Sequence, residues 1–384
     1  AEKGGVLLIS SLFLADGCAP QVDDPSRGDA IESSLALYFP PKTGEWETVD
    51  PEDVGWSSDG LEKVFDVAQR NNSTGMVLLH RGRILAERYW TSFPEAVSED
   101  EAWDYLAGTN KYYDTEGRPV DDVASVQKSV VSFLVGMARE RGLLDIDRPV
   151  SAVLGDGWSN SGPDSEGLIT IRHLLTMTSG LDEGRNLRTP AGEAWRYSTG
   201  AYSQVMRVLE TVTGLDLQRL TEEWLLASVG MNESLWILRP WAGPDSPNQF
   251  GFATSARDAA RFGLLVLAEG SWDGKQILDP SFVSDMLAPS QDINPSYGLL
   301  WWLNGQEAHR LGDGTERLGG PLIEIAPDDL VAARGAWARR IYVVPSLDLV
   351  VTRLGTEPPG PESGKALRFS RELWAALMEA SPNQ

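Results

Sequence analysis

Two β-type runs stand early in this chain and four stand late, with helical periodicity filling the stretch between them. The early pair, Gly75-Met-Val-Leu-Leu-His-Arg-Gly82 and Arg83-Ile-Leu-Ala-Glu-Arg-Tyr-Trp90, meets at a tight Arg-Gly-Arg turn and reads as a hairpin. The late runs are Tyr297-Gly-Leu-Leu-Trp-Trp-Leu303, Leu330-Val-Ala-Ala333, Arg340-Ile-Tyr-Val-Val344 and Leu347-Asp-Leu-Val-Val-Thr-Arg-Leu354, a pattern for an antiparallel meander. Strand backbones must find hydrogen-bond partners, so these runs predict one sheet split in sequence, with a helical region inserted between its first and last strands. Ser57 to Ala68, with Leu61, Val64, Phe65 and Val67 at amphipathic spacing, predicts a helix ahead of the hairpin, and Ala366 to Met378 a closing helix. Thr170 to Met177, Ala201 to Val212, Leu217 to Ser228 and Ala256 to Leu267 carry helical spacing in the middle, with Gly and Pro as punctuation. The expected class is α+β in three layers: an antiparallel sheet flanked by terminal helices, with an inserted all-helical region. Residues 51–124 and 288–384 are assigned to the sheet domain and 125–287 to the helical domain.

At 384 residues and 42% hydrophobic, the chain has the material for one large domain or two interleaved ones. Its net charge of −23 repels phosphate backbones, so nucleic acid is not an expected partner. Arginine outnumbers lysine 26 to 7, a skew that coding bias or habitat produces as readily as function. A single cysteine, Cys18, leaves no intramolecular disulfide and no cysteine-based metal cluster. With only His80, His173 and His309, and no His-Glu-x-x-His, no metal and no cofactor are expected.

The opening AEKGGVLLISSLFLADGCAP sets Lys3 before an apolar run from Gly4 to Ala15, then Gly17-Cys18. This resembles a bacterial lipoprotein signal, in which Cys18 becomes the lipidated first residue. Asp16 is unusual at its place, and a buried N-terminal helix or strand is the alternative reading. The run is too short to span a bilayer as a helix. Residues 1–18 are accordingly expected to act as a lipoprotein or secretory signal. The protein would then be periplasmic or membrane-anchored through Cys18, and otherwise cytoplasmic. Residues 19–50, rich in Asp, Pro and Ser, read as a linker or extended arm, with the folded part beginning near Trp56.

Ala124-Ser-Val-Gln-Lys-Ser129 heads a long apolar run, and Ser125 and Lys128 stand at i and i+3, on one face of a helix. An unassisted serine is a poor nucleophile at neutral pH. A lysine desolvated at a helix start has its pKa lowered toward accepting the serine proton. Such a pair is more often a cap beside a solvated side chain. Here it is the only Ser-x-x-Lys in a chain with seven lysines, and Lys128 heads a helix with little polar face to spare.

Ser-x-x-Lys opening a buried helix marks β-lactamases and penicillin-binding proteins. Together with Leu174-Leu-Thr-Met-Thr-Ser-Gly-Leu181, Trp195-Arg-Tyr-Ser-Thr-Gly-Ala-Tyr202, Val212-Thr-Gly-Leu-Asp-Leu217 and Ile341-Tyr-Val-Val-Pro-Ser-Leu-Asp-Leu-Val-Val351, it makes the chain resemble the serine β-lactamase-like family from about residue 55 to the end. The branch it is most similar to is the class C type, with family VIII carboxylesterases, D-aminopeptidases and 6-aminohexanoate-dimer hydrolase. The resemblance implies a β-lactamase/transpeptidase-like fold with its active site in the cleft between the two domains. It implies Ser125 as acylated nucleophile, Lys128 as its activator and Tyr197 as the residue that shuttles a proton to the leaving group and helps activate water. A nearby ammonium is expected to stabilise the Tyr197 phenolate. The backbone N–H groups of Ser125 and Ala336 would form the oxyanion hole, with Gly335 permitting the close approach this needs.

The third motif departs from the family. Where Lys-Thr-Gly or His-x-Gly is usual, this chain has Ala333-Arg-Gly-Ala-Trp-Ala-Arg-Arg340, and only Gly335 fits clearly. Ala333 removes the cation that would hold a β-lactam carboxylate, and Arg334, Arg339 and Arg340 are either substitutes or solvated strand-edge residues. Thr199 stands where Asn is common, which weakens a contact to an amide substrate. Trp195, Trp337 and Trp301 or Trp302 are candidates for an apolar acyl pocket, with core packing as the alternative. The expected function is a serine hydrolase acting through an acyl-enzyme on short-chain or small carboxylic esters. Alternatives are an amide hydrolase of the 6-aminohexanoate-dimer hydrolase or D-aminopeptidase type, a weak β-lactamase, or a non-catalytic acylated sensor. No Gly-x-Ser-x-Gly elbow occurs, which disfavours a Ser-His-Asp esterase. Oligomeric state is not legible in the chain.

Overall fold

The structure, a computed structural model, describes residues 36–90, 112–312, 314–360 and 364–382. Its two main sheets are built from β1 (Ser73–His80), β2 (Arg83–Tyr89), β3 (Tyr112–Tyr113), β4 (Pro119–Asp122), β5 (Leu235–Leu238), β6 (Phe250–Ser255), β7 (Trp302–Leu303), β8 (Val331–Arg334), β9 (Arg340–Val344) and β10 (Leu349–Gly355). The larger is a six-stranded antiparallel sheet in the order β2-β1-β10-β9-β8-β7, so early and late strands meet at the β1–β10 pair. The helices that matter for the site and the layers are α1 (Ser58–Arg70), α2 (Gln127–Glu140), α3 (Thr199–Thr213), α4 (Ala256–Leu267) and α5 (Lys365–Ala380).

Side-chain alternation builds the layers. On β9, Ile341 meets Gly263 of α4 on one face, while Tyr342 on the other packs edge-on against Trp374 of α5 at 5.4 Å and donates to Ser370 Oγ at 2.9 Å. With both faces covered, all five residues of β9 are buried. Helix α1 lies against α5 and β1. Its start follows from Ser57, whose hydroxyl accepts the Gly60 N–H at 3.0 Å, and its buried face from Leu61, Val64, Phe65 and Val67. Helix α2 is buried from Gln127 to Ala138, and its two serines are satisfied there: Ser129 donates to the Leu300 carbonyl at 2.8 Å and Ser132 to that of Leu299 at 2.6 Å.

The inserted region is not all-helical. It contributes β5 and β6, which join β3 and β4 in a second antiparallel sheet, ordered β3-β4-β6-β5. Strands of four and six residues carry too little alternation to announce themselves, and β6 finds β4 only across the whole of α2 and α3. Helix α4, expected within the helical domain, packs on β10, β9 and β1 and so covers the large sheet. Sheet and insertion share one hydrophobic core. The run from Tyr297 is extended only at Trp302–Leu303, because Leu300 turns at φ 61° and a Cβ at Gly298 would stand 2.2 Å from the Met286 carbonyl oxygen. Packing also begins upstream of Trp56: Trp46 is buried with Nε1 donating to the Gly82 carbonyl at 2.8 Å, and the Val49 N–H donates to the Ile84 carbonyl at 3.0 Å. The expected signal at 1–18 and most of the arm at 19–50 lie outside the described residues.

Candidate active site

Strand β4 ends at Asp122, and the chain passes through a 3₁₀ turn, Ala124–Val126, into α2. Ala124 takes φ 50°, a left-handed conformation that costs a side-chain-bearing residue about 1–2 kcal/mol and needs support from its surroundings. Asp122 Oδ1 supplies it by accepting the Ala124 N–H at 2.9 Å, while the Val123 N–H donates to the Phe252 carbonyl at 2.8 Å. Ser125 thus stands half-buried at the head of a core helix.

Lys128 lies one turn further along. Its ammonium nitrogen is 3.0 Å from Ser125 Oγ and 3.3 Å from Thr199 Oγ1, and it sits over the rings of Tyr197 at 4.9 Å and Tyr202 at 4.7 Å. The side chain is 3% exposed. Burial, with the Arg239 charge adding and Glu183 opposing, brings Lys128 down to about 7, so near neutrality a large share of it is a free amine aimed at a hydroxyl. Tyr197 lines the same cavity as Ser125, and burial pushes its phenol up to about 12 against the opposing influence of the Ser125 hydroxyl and the Arg334 charge. On that footing the tyrosine is a neutral phenol near pH 7, with the Lys128 nitrogen 4.9 Å from its ring centroid. Glu183 accepts the Thr199 and Gly200 N–H groups at 3.0 and 2.9 Å, setting a carboxylate at the start of α3.

The opposite wall is the turn between β8 and β9. At Gly335 a Cβ would lie 2.2 Å from the Val123 carbonyl oxygen, so this backbone and the Ser125 turn approach more closely than any side chain permits. Trp337 and Ala338 follow at φ 57° and 59°. Arg353 of β10 holds that turn, donating to the Trp337 carbonyl, to Ser73 Oγ at 2.9 Å and to the Asn71 carbonyl at 2.6 Å.

Ser125, Tyr197, Gly335, Ala336 and Trp337 line one cavity of about 480 Å³. Thr199 and Lys128 meet Ser125 and Ala336 in a second, of about 150 Å³. Trp195 lines neither: it is 2% exposed and packs edge-on against Tyr297 at 5.4 Å and Trp302 at 5.9 Å, so its place is the core behind the site. Trp302 lines the larger cavity and Trp301 is fully buried. Arg334 and Arg340 also face the larger cavity and are not solvated edge residues. Arg334 lies over the Trp302 ring at 4.7 Å, and its Nη1 is buried with no acceptor among the described residues. Burial and Arg340 bring its guanidinium down to about 10. Arg340 spends Nη1 on the Gly335 and Arg339 carbonyls at 2.6 and 2.8 Å. On the same wall Glu357 is already paired with Lys365 at 2.6 Å. Arg239, Asp122 and Glu183 escape a sequence reading: Arg239 and Glu183 reach the site from segments distant in sequence, and Asp122, three residues before Ser125, shows its part only through the Ala124 N–H and Arg239 that it binds. Among the described residues no group of three or more His, Cys, Asp or Glu is placed to hold a metal ion.

The arrangement is a buried amine beside a hydroxyl, a phenol on the wall of the same cavity, and arginines on the wall facing it. The beta-lactamase family profile matches residues 67–373. An uncharacterised protein of Alkalihalophilus pseudofirmus is 24% identical over 333 residues, covering 80% of this chain and 90% of its own. The 6-aminohexanoate-dimer hydrolase of Paenarthrobacter ureafaciens is 23% identical over 320 residues, covering 68% and 75%. Esterase EstB of Burkholderia gladioli is 27% identical over 215 residues, covering 45% of this chain and 50% of the esterase. A Bacillus anthracis structure, described as that of a candidate 6-aminohexanoate-dimer hydrolase, superposes with a TM-score of 0.61 at 15% identity, over 90% of this chain and 91% of its own. At that identity the likeness is one of fold.

Proposed function

This chain belongs to the beta-lactamase family of serine hydrolases, and from that premise we propose that it is a carboxylesterase of small esters working through an acyl-enzyme on Ser125. The observation that carries the reading is the buried Lys128 amine 3.0 Å from Ser125 Oγ. The neutral amine takes the Ser125 proton as Oγ attacks the substrate carbonyl carbon. The N–H groups of Ser125 and Ala336 receive the developing oxyanion. Collapse of the tetrahedral intermediate breaks the ester C–O bond, and Tyr197, as a neutral phenol, hands a proton to the departing alkoxide, recovering one from the Lys128 ammonium. Water then attacks the acyl-enzyme by the same route in reverse. Esters are favoured because an alkoxide leaves with less help than an amide nitrogen, and Thr199 thins a contact an amide would use, while Ala333 lacks the cation that would hold a β-lactam carboxylate.

A second reading has one observation behind it. Arg334 Nη1, which has no acceptor among the described residues, stands on the cavity wall and suits a substrate that carries a carboxylate, as a linear aminohexanoate amide does. On this reading Arg334→Gln raises KM for a mono-p-nitrophenyl ester of a dicarboxylic acid about tenfold, the loss of one charge-assisted hydrogen bond, and leaves a neutral p-nitrophenyl ester unchanged. Equal effects on both esters would reject Arg334 as the carboxylate's partner.

The reading as a whole is tested by hydrolysis of p-nitrophenyl butyrate and of a chromogenic cephalosporin, with intact-mass detection of an adduct on Ser125. Fast ester turnover with little cephalosporin cleavage is expected. Cephalosporin turnover outpacing the ester would overturn the ester reading, and a persistent Ser125 adduct with no turnover would make the protein an acylated sensor.

A further inference from the structure

Behind the nucleophile turn lies an ion pair that the reaction scheme above leaves unused. Asp122 and Arg239, with side chains 0% and 5% exposed, meet as a two-pronged fork: Nε donates to Oδ2 at 2.7 Å and Nη2 to Oδ1 at 2.9 Å. Burial alone favours the acid form of Asp122, but the fork holds its carboxyl below the usual range, so both partners are charged. The chain makes room for them. A Cβ on Gly251 would stand 2.4 Å from Asp122 Oδ2 and 2.9 Å from Arg239 Nε.

Each end of the pair reaches a different part of the site. Asp122 Oδ1 accepts the N–H of Ala124, whose left-handed backbone immediately precedes Ser125. Arg239 lines the small cavity that holds Ser125, Lys128 and Thr199. Its guanidinium is fixed in place by the Asn248 carbonyl at 3.2 Å and by Gln127 Oε1 at 3.4 Å, and Gln127 Oε1 in turn accepts the Phe252 N–H at 3.2 Å. An arginine with three anchors cannot swing away, so its charge has a fixed distance from the neighbouring amine.

We infer that Asp122 and Arg239 are positioning residues for the reaction: Asp122 locks the turn that presents Ser125, and Arg239 holds a fixed positive charge on the wall of the small cavity where Lys128 meets Ser125. The inference rests on the Ser125–Lys128 reading and deepens it. The groups that face Lys128 are the Ser125 hydroxyl from its own segment, Thr199 and Tyr202 from α3, Tyr197 from the preceding loop, and the charges of Glu183 and Arg239. Of the two charges, Glu183 favours the ammonium and Arg239 opposes it, so their removal shifts the Lys128 titration in opposite directions.

The test is the pH dependence of kcat/KM on a neutral p-nitrophenyl ester, and of fluorophosphonate labelling of Ser125, in Arg239→Gln, Arg239→Lys and Asp122→Asn, with thermal unfolding of each. Arg239→Gln is expected to move the acid limb up by about half a pH unit or more and to lower kcat with little change in KM. Arg239→Lys keeps the charge but loses the fork, so its limb stays near the wild-type position while kcat falls. Asp122→Asn keeps Arg239, so its limb does not rise, yet kcat drops because the Ser125 turn loosens. A limb that is the same in Arg239→Gln and the wild type, or one that rises equally in Arg239→Gln and Arg239→Lys, would overturn the inference. Were Arg239→Gln not to fold, a limb that rises in Asp122→Asn would overturn it equally. These failures leave the parent reading standing if wild-type Ser125 is labelled; a wild-type protein unlabelled at Ser125 would remove both.

Discussion

Ser125→Ala is expected to cost on the order of 10⁴-fold or more in kcat on p-nitrophenyl butyrate while leaving the fold intact. Two features of the site make both halves of that result follow. The first is that, among the described residues, Lys128 hydrogen-bonds two hydroxyls: Ser125 Oγ at 3.0 Å, and Thr199 Oγ1 at 3.3 Å, which sits at the first position of α3 with its backbone held by Glu183. The second is that the Ser125 hydroxyl holds up no helix. It is not the cap of α2, and the turn around it is carried by Asp122 and by the Gly335 contact with Val123. Deleting one half-buried oxygen at such a position moves stability by about 1 kcal/mol or less. The checks are the kinetics, the melting temperature and loss of the fluorophosphonate adduct. Hydrolysis that survives at more than a trace in the Ser125→Ala variant would mean that another group makes the acyl bond, and the nucleophile assignment would fall.

What the chain discloses about this site depends on how local each contact is. The Ser125–Lys128 contact spans one helical turn, so its geometry follows from spacing alone once α2 is recognised. Tyr197 shares no periodic segment with either residue, and its place beside Ser125 enters only through the resemblance of Trp195 to Tyr202 to a family motif. Sidedness is harder still. Trp195 and Trp302 look alike as candidate pocket walls, but one is sealed behind the other by Tyr297, a contact across more than a hundred residues. The arginines of the third motif mislead for a physical reason. Arginine is almost never buried without an acid, yet among the described residues the half-buried Arg334 lies over the Trp302 ring and the buried Arg340 donates to two backbone carbonyls. No rule applied to one sequence finds partners of that kind. The same locality governs the fold. Helix α4 is legible from Ala256 to Leu267 because Ser255 caps it, accepting the Asp258 N–H at 3.1 Å, and its apolar period is unbroken. The β4–β6 ladder is not, because neither strand has enough length to show alternation before it meets the other.

Lys128→Met is expected to separate catalysis from stability, with opposite signs. Activity falls by about 10³-fold or more, since among the described residues Lys128 is the amine that stands against Ser125 Oγ. Stability near neutral pH rises. The ordinary lysine value of 10.5 is lowered to about 7 in the fold. Between those limits the unfolded chain holds a proton on Lys128 that the folded chain has released, so wild-type stability increases as pH climbs through the window. Below about 7 the folded protein must carry a buried ammonium, and its full penalty, several kcal/mol at about 1.4 kcal/mol per tenfold displacement of the proton equilibrium, is present. Methionine fills the same volume without that penalty. The difference in unfolding free energy between Lys128→Met and wild type should therefore be largest at pH 6 to 7 and shrink toward pH 10, a comparison in which the tyrosines, common to both proteins, cancel. The kcat/KM profile of the wild type should fall on the acid side with a midpoint near 7, where the amine becomes ammonium. A stability difference independent of pH would show that Lys128 is protonated in the fold as it is in water, and the amine would lose its role as the base.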